Sequence, residues 1–184
     1  MATVQSGAPA NGAAGNPPAV TLVLGGARSG KSAYAERVAG QAETPIYLAT
    51  GAAGDDEMAE RIRRHRARRG PHWTTVEEAL DLTGQLARLA APGRAVLVDC
   101  LTLWLSNLLG AGRDPAVEGT SLVRALPGLL GPVVFVANEV GLGIVPDNAL
   151  ARAFRDAAGR LNQDVAAAAD RVVLITAGLP LILK

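Results

Sequence analysis

The chain has 184 residues, enough for one domain with a substantial core and too few for two ordinary domains. Its 18 Lys and Arg are balanced by 17 Asp and Glu, which excludes a global field for gripping a nucleic-acid backbone and leaves a small-molecule partner as the expectation. A hydrophobic fraction of 49% with 3% aromatics describes a core of Ala, Val and Leu, as in α/β proteins with buried parallel strands. The single Cys100 excludes an internal disulfide and fits a reducing, cytoplasmic setting. No apolar stretch approaches the roughly 20 residues that span a bilayer, so a soluble protein is expected.

Residues 1–18, rich in Ala, Gly, Pro and Asn, lack the basic and apolar regions of a secretion signal and read as a disordered tail. One domain is expected over 19–184. It begins with Ala19-Val20-Thr21-Leu22-Val23-Leu24, a short apolar run that reads as a buried strand and stops at two glycines. Lys31 to Ala39 carries helix formers and closes at Gly40. A second strand is predicted over Pro45 to Thr50, ending at Gly51.

The segment Asp55 to Arg69 has acids at its front and bases at its back, the polarity a helix macrodipole favours, and is predicted helical. Further strands are predicted at Ala95 to Leu101, Pro132 to Ala137 and Arg171 to Thr176. Helical patterns occupy Val76 to Leu89, Leu103 to Leu109 and Ala149 to Ala169. Gly110 to Gly119 reads as a surface loop. The alternation of strand and helix implies a mostly parallel sheet covered on both faces.

The glycine loop carries the clearest chemistry. Gly25, Gly26, Ala27, Arg28, Ser29, Gly30, Lys31 and Ser32 meet the pattern G-x-x-x-x-G-K-S in full, with a strand before and a helix after. Glycines let consecutive backbone N–H groups converge on phosphate oxygens at a helix N-terminus. Lys31 is then expected at the β- and γ-phosphates and Ser32 at Mg²⁺. Asp99, at the end of an apolar strand, is a second candidate for the metal, held through water; a helix N-cap or a surface carboxylate is the alternative.

On a 3.6-residue period Met58, Ile62, His65 and Arg69 fall along one stripe. Arg61, Arg63, Arg64, Arg66, Arg68 and Arg69 surround His65, a cluster able to neutralise a triphosphate and keep the imidazole unprotonated and nucleophilic. By residue chemistry alone, a solvated arginine face with an incidental histidine is the stronger reading. His72, between Pro71 and Trp73, reads as a turn residue with a packing or capping role. Glu77 and Glu78 read as first-turn acids of the next helix.

Several blocks together resemble the bifunctional adenosylcobinamide kinase/adenosylcobinamide-phosphate guanylyltransferase family of cobalamin biosynthesis. They are LVLGGARSGKS from Leu22, YLATG from Tyr47, DDEMAERIRRHRARRG from Asp55, HWTTVEE from His72, VLVDCLTLWLSNLL from Val96, and NEVGLGIVPDNALARAFRDAAGRLNQDVAAAAD from Asn138. The resemblance covers nearly all of the chain from Leu22 to Lys184. Many enzymes share the glycine loop, whereas the other blocks in this order are far more specific.

The resemblance implies a single RecA-like P-loop domain that binds ATP and GTP with Mg²⁺ and acts on a corrinoid. It implies that His65 attacks the α-phosphorus of GTP, giving a guanylyl-histidine and releasing pyrophosphate, which reverses the weighting of that residue. Gly25 to Ser32 would bind nucleotide phosphates, Ala49, Thr50 and Gly51 with Arg66, Ala67, Arg68 and Arg69 would line the guanine nucleotide site, and Glu77 and Asp99 would add contacts. A homotrimer is also implied. The stretch Asn138 to Pro146 follows a buried strand, where α/β proteins place ligand loops, and its glycines permit close approach to a bulky corrinoid; a plain turn is the alternative. A simple P-loop kinase would leave His65 idle, and a guanine-nucleotide switch lacks support because no N-K-x-D motif follows a late strand.

Overall fold

A computed structural model describes residues 19–51 and 69–184. The tail 1–18 and most of the segment predicted as the His65 helix lie outside the described residues. Seven strands form one sheet: β1 (Val20–Gly25), β2 (Ile46–Ala49), β3 (Thr74–Glu77), β4 (Val96–Asp99), β5 (Val133–Asn138), β6 (Arg171–Thr176) and β7 (Leu179–Ile182). Their order is β3-β2-β4-β5-β1-β6-β7, and every pairing is parallel except that of β6 with β7. Five α-helices are described: α1 (Lys31–Ala39), α2 (Leu82–Leu89), α3 (Leu101–Gly110), α4 (Pro115–Ala125) and α5 (Ala149–Ala168).

Alternation along the strands divides the core into two layers. Leu22, Leu48, Val96, Val98, Val133 and Phe135 face one way, beneath Leu86 of α2, Trp104 and Leu108 of α3, Leu122 of α4 and Val165 of α5. Val23, Tyr47, Leu97, Val134, Val136, Val173 and Ile175 face the other way, beneath Ala35 and Ala39 of α1. The central strands are buried on both faces, as a parallel sheet requires. Trp104 is fully buried and its indole N–H donates to the Leu80 carbonyl at 3.0 Å, satisfying the polar end of the largest side chain in the core.

The predicted strands over 19–24, Pro45 to Thr50, Pro132 to Ala137 and Arg171 to Thr176 are all found, as are the helices over Lys31 to Ala39 and Ala149 onward. Three boundaries differ. The predicted helix Val76 to Leu89 is a strand followed by a helix: Thr74–Glu77 pairs with β2 from Ile46↔Thr74 to Ala49↔Glu77. β-branched Thr74, Thr75 and Val76 suit an edge strand, and four residues are too few to show a period. Glu78 is therefore not a first-turn acid. Its carboxylate accepts from the N–H groups of Leu80 and Asp81 at 2.9 Å each, and Asp81 then caps α2 through Gly84 N–H.

The predicted loop Gly110 to Gly119 shrinks to residues 111–114, because Asp114 accepts from Ala116 N–H at 2.8 Å and Pro115 occupies the first turn of α4. An aspartate before a proline is an N-cap followed by an N1 residue, a start signal that the surrounding glycines masked. Leu101, expected in a strand, opens α3. The short antiparallel β7 follows a two-residue turn in which Ala177 and Gly178 both have positive φ, 51° and 80°. That geometry is the hairpin turn matching strand twist.

Candidate active site

The register of the sheet brings separate sequence blocks to one edge. Glu77, Ala49 and Asp99 are direct neighbours across β3, β2 and β4, each the last residue of its strand. Gly25 ends β1, paired with Asn138 of β5. All of these are carboxyl ends of parallel strands, the place where open α/β sheets put ligands.

The glycine loop is held from two sides. Its turn closes with Ser29 N–H donating to the Gly26 carbonyl at 3.3 Å, and Arg28 and Gly30 take positive φ of 56° and 99°. Gly25 permits this approach: a Cβ there would lie 2.5 Å from Ser29 Oγ and 2.7 Å from the Ile175 carbonyl. From the far side the β6–β7 turn reaches over, and Gly178 N–H donates to the Ser29 carbonyl at 2.9 Å. The N-terminus of α1 has no side-chain cap, so its first amides have the geometry that receives a phosphate. Lys31 is only 6% exposed, and its ammonium donates to the Gly26 carbonyl at 2.9 Å, above the loop.

Asp99 is half-buried, and its Oδ2 accepts from the Tyr47 hydroxyl at 2.9 Å. β5 lies between β4 and β1, so about 9–10 Å separates their axes. A metal beside Ser32 would therefore meet Asp99 through water. An oxygen-only donor set of a hydroxyl and a carboxylate suits Mg²⁺, which keeps several waters and takes few protein ligands. Among the described residues no three His, Cys, Asp or Glu side chains form a denser metal cluster.

The polar atoms of Thr50 are engaged within the fold. Its buried hydroxyl donates to the Cys100 carbonyl at 2.8 Å and accepts from Cys100 N–H at 2.9 Å, while its own carbonyl accepts from Asn107 Nδ2 at 2.6 Å. Those bonds tie the end of β2 to the start of α3, so Thr50 shapes the wall of the site with atoms already engaged. Cys100 is buried, and burial together with the Asp99 charge pushes its thiol up from the ordinary range.

Arg69 is the one residue of the Arg66–Arg69 run among the described residues; His65, Arg66, Ala67 and Arg68 lie outside them. Its guanidinium stacks 3.3 Å from the centre of the Tyr47 ring and is 8% exposed. His72 sits in the turn expected for it, exposed, with its ring 6.3 Å from that of Trp73. Sequence reasoning named neither Tyr47 nor Asn107 as a site residue. A tyrosine in a strand beside an acidic strand end is a signal only once the strands are known to be neighbours.

Beyond β5, Glu139 N–H donates to the Gly25 carbonyl at 3.1 Å, after which the chain swings outward. Leu142 is 89% exposed and Ile144 97%. The loop returns at Asn148, which caps α5 through Ala151 N–H, and Arg152 donates to the carbonyls of Pro146 and Asp147.

The fold is shared with solved P-loop ATPases of the RecA-like type. An ATPase of a bacterial type III secretion system superposes with a TM-score of 0.56 at 12% identity, over 85% of this chain and 51% of that one. The flagellar accessory protein FlaH of Methanocaldococcus jannaschii gives 0.52 at 11%, over 92% and 80%. Sequence relatives are much nearer. The bifunctional adenosylcobalamin biosynthesis protein CobP of Pseudomonas aeruginosa is 49% identical over 166 residues, covering 89% of this chain and 96% of the relative. The proteins named CobU from Salmonella typhimurium and Escherichia coli are 44% and 43% identical over 178 residues, each covering 89% of this chain and 98% of the relative. The profile described as cobinamide kinase / cobinamide phosphate guanyltransferase matches residues 21–183. With a glycine loop, an acidic strand end and near-complete coverage by these relatives, the chain belongs to the cobinamide kinase / cobinamide phosphate guanyltransferase family.

Proposed function

We propose that this protein phosphorylates adenosylcobinamide with ATP or GTP, then transfers GMP from GTP through a guanylyl-histidine at His65, giving adenosyl-GDP-cobinamide. The observation that carries the reading is the convergence of Lys31, Asp99, Ala49 and Glu77 on one sheet edge in a chain of this family.

In the first step the terminal hydroxyl of the aminopropanol arm attacks the γ-phosphorus and the nucleoside diphosphate leaves. The protein's contribution is alignment and neutralisation by Lys31 and the amides of Gly25 to Ser32. Mg²⁺, when bound by Ser32 and through water by Asp99, supplies positive charge at the triphosphate. In the second step the imidazole of His65 forms a P–N bond to the α-phosphorus of GTP as pyrophosphate leaves. The phosphate of adenosylcobinamide phosphate then attacks that phosphorus and the P–N bond breaks. Imidazole suits this because it is a good nucleophile and, once protonated, a good leaving group. Ala49, Thr50 and Gly51, with Arg66 to Arg69, Glu77 and Asp99, are assigned to the nucleotide.

The corrinoid is assigned to the stretch Asn138 to Pro146. Its exposed Leu142, Ile144 and Val145 offer an apolar surface that starts beside Gly25. The trimer implied by the resemblance belongs to the same proposal, and Leu179, Leu181, Ile182 and Leu183 along the edge strand give such an assembly an exposed apolar surface. No helix among the described residues is long and apolar enough to cross a membrane.

Incubation with GTP labelled at the α-phosphate tests the central claim. Acid-labile label on the wild-type protein, absent in His65→Ala and discharged by adenosylcobinamide phosphate, is the expected result. An unlabelled wild-type protein that still phosphorylates adenosylcobinamide would reduce the protein to a kinase.

A further inference from the structure

Tyr47 lies near the end of β2, two residues before Ala49, with its side chain on the face opposite Ile46 and Leu48. A buried phenol needs an acceptor for its proton. It finds one across the strand pair in Asp99, whose Oδ2 is 2.9 Å away. The face of the same ring receives the guanidinium of Arg69 at 3.3 Å. Cation and carboxylate thus meet one aromatic side chain, one at its face and the other at its edge.

We propose that Tyr47 is a positioning residue that joins the two halves of the site, its hydroxyl fixing the Asp99 carboxylate and its ring carrying Arg69. The inference rests on the nucleotide roles proposed above for Asp99 and Arg69. It adds a residue that neither the glycine loop nor the motif comparison assigns.

Three observations support a role beyond packing. First, the buried Nη1 of Arg69 has no hydrogen-bond partner within the described structure. A desolvated guanidinium left with an unpaired N–H group is costly, and an anion that completes it recovers that cost. Stacking against the ring holds the guanidinium plane in place and leaves Nη1 without a partner. Second, the phenol O–H donates to Asp99 Oδ2 at 2.9 Å, which holds that carboxylate oxygen in place. Third, Arg69 closes the arginine cluster that contains His65, while Asp99 ends the strand on the metal side. Tyr47 is the side chain that touches both.

The nucleotide itself provides the test, read as binding without turnover. Affinity for a fluorescent, non-hydrolysable GTP analogue is measured against Mg²⁺ concentration in the full-length protein. Tyr47→Phe keeps the ring and removes the bond to Asp99, so the Mg²⁺ needed for half-maximal tightening should rise about tenfold while affinity at saturating Mg²⁺ is kept. Tyr47→Met removes the ring as well, and affinity should fall at saturating Mg²⁺ too.

A double-mutant cycle completes the test. Arg69→Ala should weaken binding in the wild-type and Tyr47→Phe backgrounds and add little in Tyr47→Met. An unchanged Mg²⁺ dependence in Tyr47→Phe overturns the link to Asp99, and an equal cost of Arg69→Ala in all three backgrounds overturns the link to Arg69. If Tyr47→Met does not fold, the Mg²⁺ dependence of Tyr47→Phe decides. Failure of the wild type to acquire label from GTP would strike the guanylyl-transfer reading and leave these binding results standing.

Discussion

Two loops leave neighbouring paired strands, β1 and β5, at the same edge of the sheet, and they end in opposite states. The glycine loop folds back on itself, braced by Gly178 and by the close approach of Gly25 to the Ile175 carbonyl, with Lys31 nearly buried. Residues 139–148 are tied at both ends and carry Leu142 and Ile144 almost wholly into solvent. A triphosphate is small and highly charged, so a preorganised cradle of amides serves it. A corrinoid is broad, with a flat ring face and methyl groups set among its peripheral amides, so an open surface with exposed apolar side chains can serve it. The contrast fits the proposed division of ligands, one to each loop.

Substitutions can break that division. The largest effect is expected from Lys31→Ala, which removes the ammonium above the loop and should slow phosphoryl transfer by about 100- to 1000-fold in single-turnover assays. If that variant retained near-normal turnover, the cradle would not be the catalytic loop. Gly25→Ala should come next, because its methyl would press on a backbone carbonyl as well as on Ser29. A loss of about 1–3 kcal/mol in chemical denaturation, with weaker nucleotide binding, is expected.

The open loop should respond in the reverse sense. Leu142→Ser with Ile144→Ser should leave stability within about 0.5 kcal/mol, since neither side chain is packed. The KM for adenosylcobinamide should nonetheless rise about tenfold while labelling of the protein by GTP is unchanged. A clear fall in melting temperature, with KM intact, would make this loop a structural contact instead.

The smallest effect concerns Glu78, behind the edge. Hydrogen bonds from the Leu80 and Asp81 amides lower its pKa in the folded protein. Its contribution is therefore fully present above the ordinary glutamate pKa and is lost as pH falls through the lowered folded value. Glu78→Gln should cost under about 1 kcal/mol at neutral pH because the site is partly solvated. The difference from wild type should shrink in acid, and a difference that grew on acidification would contradict the assignment.

Much of this was legible from residue order. The motif from Gly25 to Ser32 was readable because a strand, a glycine turn and a helix start are local in sequence, and α1 was found at its predicted bounds. Strands β1, β5 and β6 announced themselves as apolar runs with sharp ends. By contrast β3 was hidden because four residues at a sheet edge gain their conformation from pairing with β2. Helix α4 was hidden because glycines at 110, 112 and 119 obscured an Asp-Pro start. Gly119 is in fact buried beside Leu161 of α5, where absence of a side chain permits close helix packing.

The sequence by itself determined the class of the fold, the phosphate loop and, through its blocks, the family, because each depends on residues adjacent in the chain. Only the tertiary structure decided that Glu77, Ala49 and Asp99 stand in one row, that Thr50 spends its polar atoms on the Cys100 and Asn107 clamp, and that Tyr47 meets both Asp99 and Arg69. These facts depend on strand order and register. They arise from long-range pairing, which places residues more than twenty positions apart within hydrogen-bond reach and leaves no local period to read.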